Sequence, residues 1–156
     1  MTDSFKKVLF RYHSPVLGKT VKETMWAIEI DADKQLYKLD SIPFYGPPIA
    51  THDEFIAKFD EQEGFLVYQE ITTASENSIV LVIVTQKDYD KEMLRRKFKA
   101  LHCESEGLND HYFSMEILKR IDYTLIKKEL DLYQQKGIID YAEPCLSNKH
   151  KLDLQD

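Results

Sequence analysis

Six consecutive aliphatic residues, Ile79-Val-Leu-Val-Ile-Val84, stand in a chain that rarely places more than three apolar residues together. A strand with one wet face alternates, so a strand without alternation is covered on both faces. Full burial of each such side chain contributes roughly 1.5–3 kcal/mol, more than any other local feature of the sequence offers. Ile79–Val84 is therefore expected at the centre of a sheet.

The pattern beyond that strand continues as β-α-β-β-α-β. Asp88 stands where a helix N-cap belongs, and Leu94, Phe98 and Leu101 follow at helical spacing, with Arg95, Arg96 and Lys99 outward. His102 to Ile117 is expected to form a hairpin with its loop over Glu106–Asp110, so that Cys103 pairs with Phe113. A slip of one residue would turn Glu104 into the core. Asp122 caps a second helix whose stripe is Leu125, Ile126, Leu130 and Tyr133, and Gly137 ends it. Ile138–Ala142 closes the sheet, and residues 147–156 form a polar tail expected to fray. This is the ferredoxin-like plan, two helices on one face of a four-stranded antiparallel sheet. The other face needs a cover, and the strands of the first half are expected to supply it through Trp26, Ile28 and Ile30.

The first half reads as short strands. Val8, Phe10 and Tyr12 alternate with Lys7, Leu9 and Arg11 as a strand with one better-buried face, up to the break at Ser14-Pro15 and Gly18, and Thr24 to Ile30 alternate again. Asp31-Ala-Asp33 makes a turn before a strand over Gln35–Leu39. Ile42 to Pro48 holds three prolines and is neither helix nor central strand. Two further strands flank the Glu61–Gly64 turn. The expected fold is α+β: a curved antiparallel sheet or partly open barrel over residues 1–75, packed on a ferredoxin-like unit over 76–146, in one cooperative whole.

Glu23-Thr-Met-Trp26-Ala, Leu39-Asp-Ser-Ile-Pro43-Phe44 with the Asp53 that follows, and Gly137-Ile-Ile-Asp-Tyr141 resemble the bacterial family of the domain of unknown function 4265. The likeness runs from about Lys7 to Glu143. It implies a cytoplasmic bacterial protein, and since the family is uncharacterised it implies no activity and no functional residues.

Chemistry is sparse. The five histidines show no metal-ligand spacing, and the two cysteines, Cys103 and Cys145, lack a partner motif. Five glycines leave little room for a phosphate-binding loop or nucleophile elbow. No apolar run is long enough to span a bilayer, and Met1–Lys7 lacks a signal-peptide core. A net charge of −6 argues against nucleic acid as a partner. The expectation is a cytoplasmic, non-enzymatic protein without cofactor or metal.

Two binding functions fit: an immunity-like module that neutralises a partner protein such as a toxin, or an ACT-like sensor of a small ligand. For the first, charge suggests where. Residues 52–63 hold Asp53, Glu54, Asp60, Glu61 and Glu63 against Lys58 alone, directly after a loop carrying Phe44 and Tyr45. An acidic rim beside aromatic anchors suits a basic protein partner; a solvated hairpin beside inward-folded aromatics is the alternative. Tyr112, Ser114 and Glu116, on the outer side of their strand, form a second candidate surface.

Overall fold

A computed structural model describes residues 4–14 and 17–155; the break expected at Pro15 and the last tail residue lie outside them. Strands β1 (Phe5–Ser14), β2 (Lys19–Asp31), β3 (Leu36–Leu39), β4 (Glu54–Asp60) and β5 (Phe65–Thr73) follow one another as a meander and close into a barrel. Consecutive strands pair antiparallel, whereas the closing pair runs parallel through Val8↔Leu66 and Leu9↔Val67. The barrel is thus closed, where an open edge was allowed for. Closure is what keeps its interior dry: alternate residues Val8, Phe10, Met25, Ala27, Tyr37, Leu39, Phe55 and Ala57 point inward and are buried. Phe55 packs edge-on to Phe10 with ring centroids 5.4 Å apart and lies 5.7 Å from Tyr68.

The second unit comprises β6 (Ser78–Val84), α1 (Lys91–Ala100), β7 (Ser105–Asn109), β8 (Tyr112–Ile117), α2 (Tyr123–Gln135), β9 (Ile139–Cys145) and α3 (Asn148–Asp153). Its four strands form an antiparallel sheet in the order β7-β8-β6-β9, with the aliphatic run central. Val80, Val82 and Val84 pack with Leu94 and Phe98 of α1 and Ile126 and Leu130 of α2. On the opposite face Ile79 and Leu81 pack with Tyr112 and Ala50, flanked by Ile42 and Phe44. The outer face is covered over Ile79 and Leu81 by the proline-rich loop between β3 and β4, but the cover stops there and Ile83, expected to be buried, is 43% exposed. Trp26, Ile28 and Ile30 do not reach this face. β2 turns Glu23, Met25 and Ala27 into the barrel, so its even-numbered residues face outward and Trp26 is 49% exposed.

Removing Trp26 should therefore cost little. Trp26→Ala is expected to change stability by less than about 1 kcal/mol, against the roughly 3–5 kcal/mol of a buried tryptophan. Chemical denaturation decides between the two values. Because Trp26 is the only tryptophan, its native emission should already lie near that of the unfolded chain.

Other local expectations shift for identifiable reasons. Helix α1 is capped by Asp90, whose carboxylate accepts from Glu92 N at 2.9 Å; Asp88 has φ +66° and cannot adopt the extended backbone of a cap. Asp122 caps α2 as expected, but the buried stripe is Tyr123, Ile126 and Leu130, and Leu125 falls about 100° off it into solvent. The β7–β8 hairpin turns at Asp110-His111, pairing Gly107 with Phe113 and Ser105 with Met115. The strand runs on through residues expected as loop, and α1 holds both of its ends: Arg95 donates to Ser105 Oγ and O, each at 2.8 Å, and Lys91 to Asn109 O. Finally, the tail docks. Ser147 caps α3, and His150 is fully buried.

Candidate functional site

Residues 40–52 leave the barrel and return to it at one place: Leu39 N donates to Asp53 O and His52 N to Leu39 O, each at 2.9 Å. Between these points the loop crosses to the second sheet. Prolines and a glycine leave it few internal hydrogen bonds, so side chains from both units hold it. From the barrel, Glu23 accepts from Tyr12 Oη at 2.6 Å and from Phe44 N at 2.8 Å, and Ser14 Oγ donates to Tyr45 O at 2.6 Å. From the sheet, Tyr112 Oη donates to Phe44 O and Ser114 Oγ to Pro43 O. Burial, then the Glu23 carboxylate, pushes the Tyr12 hydroxyl above the ordinary tyrosine range.

This arrangement reassigns several candidate residues. Asp53 is buried and no part of a rim: its carboxylate accepts from Ala50 N at 2.9 Å and from Ser75 N and Oγ, each at 2.8 Å. Tyr112 and Ser114 are buried beneath the loop, so they offer no outer surface, and Glu116 beside them is half-buried. Phe44 and Tyr45 are half-buried, their rings 6.2 Å apart, and Phe44 packs on the sheet. At the hairpin, Asp60 accepts from the N–H groups of Gln62 and Glu63, while Glu63 pairs with Arg11 and, at 3.1 Å, with Lys22. Glu61 is exposed and Glu54 half-buried on β4. The structure thus disperses the acidic cluster: one carboxylate is in the core, one shapes a turn and one is neutralised by the neighbouring strands.

A different surface emerges on the outside of the barrel. The β1–β2 register sets Phe5 opposite Ile28, Lys7 opposite Trp26, and Arg11 opposite Lys22, all facing out. Across the closing pair, Phe65 and Val67 of β5 extend the same face. Phe5, Trp26 and Phe65 are exposed, and Lys7 Nζ lies 5.4 Å from the Trp26 ring centroid. Period-2 alternation in the sequence carried this surface, but an apolar strand residue is ordinarily a core residue, and nothing local tells which side of a barrel strand is inside.

Residues 23–141 match the family described as "Domain of unknown function (DUF4265)". The chain belongs to the DUF4265 family. It is also similar to a hypothetical protein from Neisseria gonorrhoeae known from a crystal structure, 19% identical, with 91% of this chain and 95% of that one covered and a TM-score of 0.76. At that identity the likeness concerns the fold. No curated protein matches the chain.

Several residues within the matched range have structural roles here: Glu23 and Asp53 anchor the crossing loop, and Gly137, with φ +75°, supplies the left-handed residue after α2. The groups most like catalytic ones are engaged elsewhere. His150 Nδ1 lies 2.6 Å from Ser78 Oγ, but Nε2 is 3.0 Å from Leu118 O, so Nε2–H donates there and the neutral ring locks α3 to the sheet. Burial pushes the Cys103 and Cys145 thiols up to about 12. No cluster of three or more metal-ligating side chains occurs among the described residues, and no helix there is long and apolar enough to cross a membrane.

Two measurements follow from these groups. Both thiols of the folded DUF4265 protein should react far more slowly than free cysteine at neutral pH, and both should titrate fully in denaturant. Burial, with Lys149 alongside, lowers the pKa of His150. The unfolded chain then takes up the proton first, so the stability this ring contributes is complete above about pH 6.5 and is lost as the pH falls below it. Melting at pH 7.5 and pH 5.5 should differ by more in the wild type than in His150→Gln.

Proposed function

We propose that this DUF4265 protein is a non-enzymatic protein-binding module that docks its partner on the outer face of the barrel, with Trp26 as the anchor. The observation behind this is the outward apolar row on a closed barrel, in which Phe5, Trp26 and Phe65 are exposed and Ile28 and Val67 half-buried. A contiguous apolar surface of this kind is usually an interaction site, and tryptophan is the residue most enriched among interface anchors. A non-enzymatic role is supported by the buried state of the Ser78–His150 pair and of Cys103, and by the raised pKa of both thiols. Neutralisation of a partner such as a toxin is the role we assign to such a module.

We also assign the second sheet to the ferredoxin-like class, on its β-α-β-β-α-β order and its strand order β7-β8-β6-β9. That assignment invites the ACT-like sensing alternative. One hollow along this unit, bounded by Leu81, Ile83, Tyr112, Asp140 and Ala142, has a volume of about 200 Å³, and another, bounded by Asp88, Tyr89, Lys91, Asp110 and His111, has about 340 Å³. Ligand sites generally span about 300–1,000 Å³ with a mostly apolar lining; the first is too small and the second is lined by charged side chains, which favours the docking role.

The test is site-specific photocrosslinking in the native host with the probe at Ile28, against a control at Gln134 on the exposed face of α2. A defined adduct at Ile28 alone, lost in Trp26→Ala, is the expected result. Equal labelling at both positions, or none at Ile28, overturns the assignment.

A further inference from the structure

Resting on that docking face, we infer that its partner presents carboxylates beside an apolar side chain, an acidic segment, although the chain as a whole is acidic at −6. The face carries Lys7, Arg11, Lys22 and Lys38 by register, Lys38 lying opposite Ile28 on one side and Glu54 on the other. One end of it already shows the recognition chemistry. Glu63, reaching over from the β4–β5 turn, places one carboxylate between Arg11 and Lys22. At the other end Lys7 sits over Trp26 and forms no ion pair among the described residues. Lys7 and Arg11 are four residues apart on one strand, about 13 Å. A partner carboxylate over Lys7 would repeat, at that spacing, the contact Glu63 makes within the chain. The adjacent Trp26 and Phe5 would take the apolar residue next to it. A basic partner would instead meet an uncompensated ammonium beside the Trp26 anchor, which costs both encounter rate and affinity.

Trp26 fluorescence offers a direct readout. The probes are acetylated peptides of about ten residues, one alternating Glu and Asp with Phe and Leu, one with every acid replaced by Lys, and a single-stranded oligothymidine of similar length. The acidic peptide should shift Trp26 emission saturably, at least tenfold more tightly than the basic peptide. Its affinity should fall with added salt, and by tenfold or more in Lys7→Glu, a surface variant whose melting temperature should match the wild type. If the basic peptide binds as tightly, the acidic assignment is overturned while the docking face stands. If the oligonucleotide binds more tightly than the acidic peptide and loses binding in Lys7→Glu, the ligand is nucleic acid and the assignment is equally overturned. If no peptide shifts the emission, the acidic partner is rejected, and photocrosslinking at Ile28 judges the docking face separately.

Discussion

Replacing Asp53 with alanine should lower the melting temperature by roughly 6–20 °C, the equivalent of about 3–5 kcal/mol for a domain of this size. The carboxylate is buried and accepts from Ala50 N, Ser75 N and Ser75 Oγ. Its removal leaves two backbone donors without partners, each costing about 1–3 kcal/mol. It also loosens both the end of the crossing loop and the segment that delivers the chain to β6. Asp53→Asn should fall between, because an amide offers only one accepting oxygen to three donors. A melting temperature within about 2 °C of wild type for the alanine variant would mean that the loop closes without this carboxylate.

The second large effect is expected in the barrel interior. Phe55→Ala should cost about 3–5 kcal/mol, since Phe55 is fully buried among Phe10, Tyr37 and Tyr68 and a closed barrel cannot collapse to fill the space. Set beside Trp26→Ala, the pair is diagnostic: both remove a large aromatic from a strand of the same barrel, and only the one pointing inward should matter. Equal losses would place Trp26 in a packed environment and remove the basis for the docking face.

What the sequence makes legible here follows from the range of the interactions. The run Ile79–Val84 declares burial on two faces because lack of alternation is local to one strand. What lies on the second face is decided far back in the chain, by Ile42, Phe44 and Ala50 of a loop whose prolines leave no periodicity to read. The β7–β8 hairpin shows the same limit more finely. Alternation distinguishes odd from even registers, and both the expected Cys103–Phe113 pairing and the observed Gly107–Phe113 pairing keep Phe113 facing the helices. Choosing between them takes the contacts of Arg95 and Lys91, which exist only once α1 has packed. Acidic residues mislead for a related reason. Composition treats every carboxylate as solvated, whereas Asp53 and Glu23 are buried because backbone donors that no helix or sheet satisfies need acceptors. Trp26 is the converse case, an apolar residue that the strand pattern places in a core and the barrel places outside.

The parallel pairing of β1 with β5 bears on how the chain emerges during synthesis. Val8 meets Leu66, 58 positions further on, so a nascent chain carries β1 through β4 as an open ribbon until β5 arrives. Over that interval two unpaired edges face outward, each able to template pairing with another chain. Only the last strand seals both at once, and any delay in translation between β4 and β5 lengthens exactly that vulnerable interval.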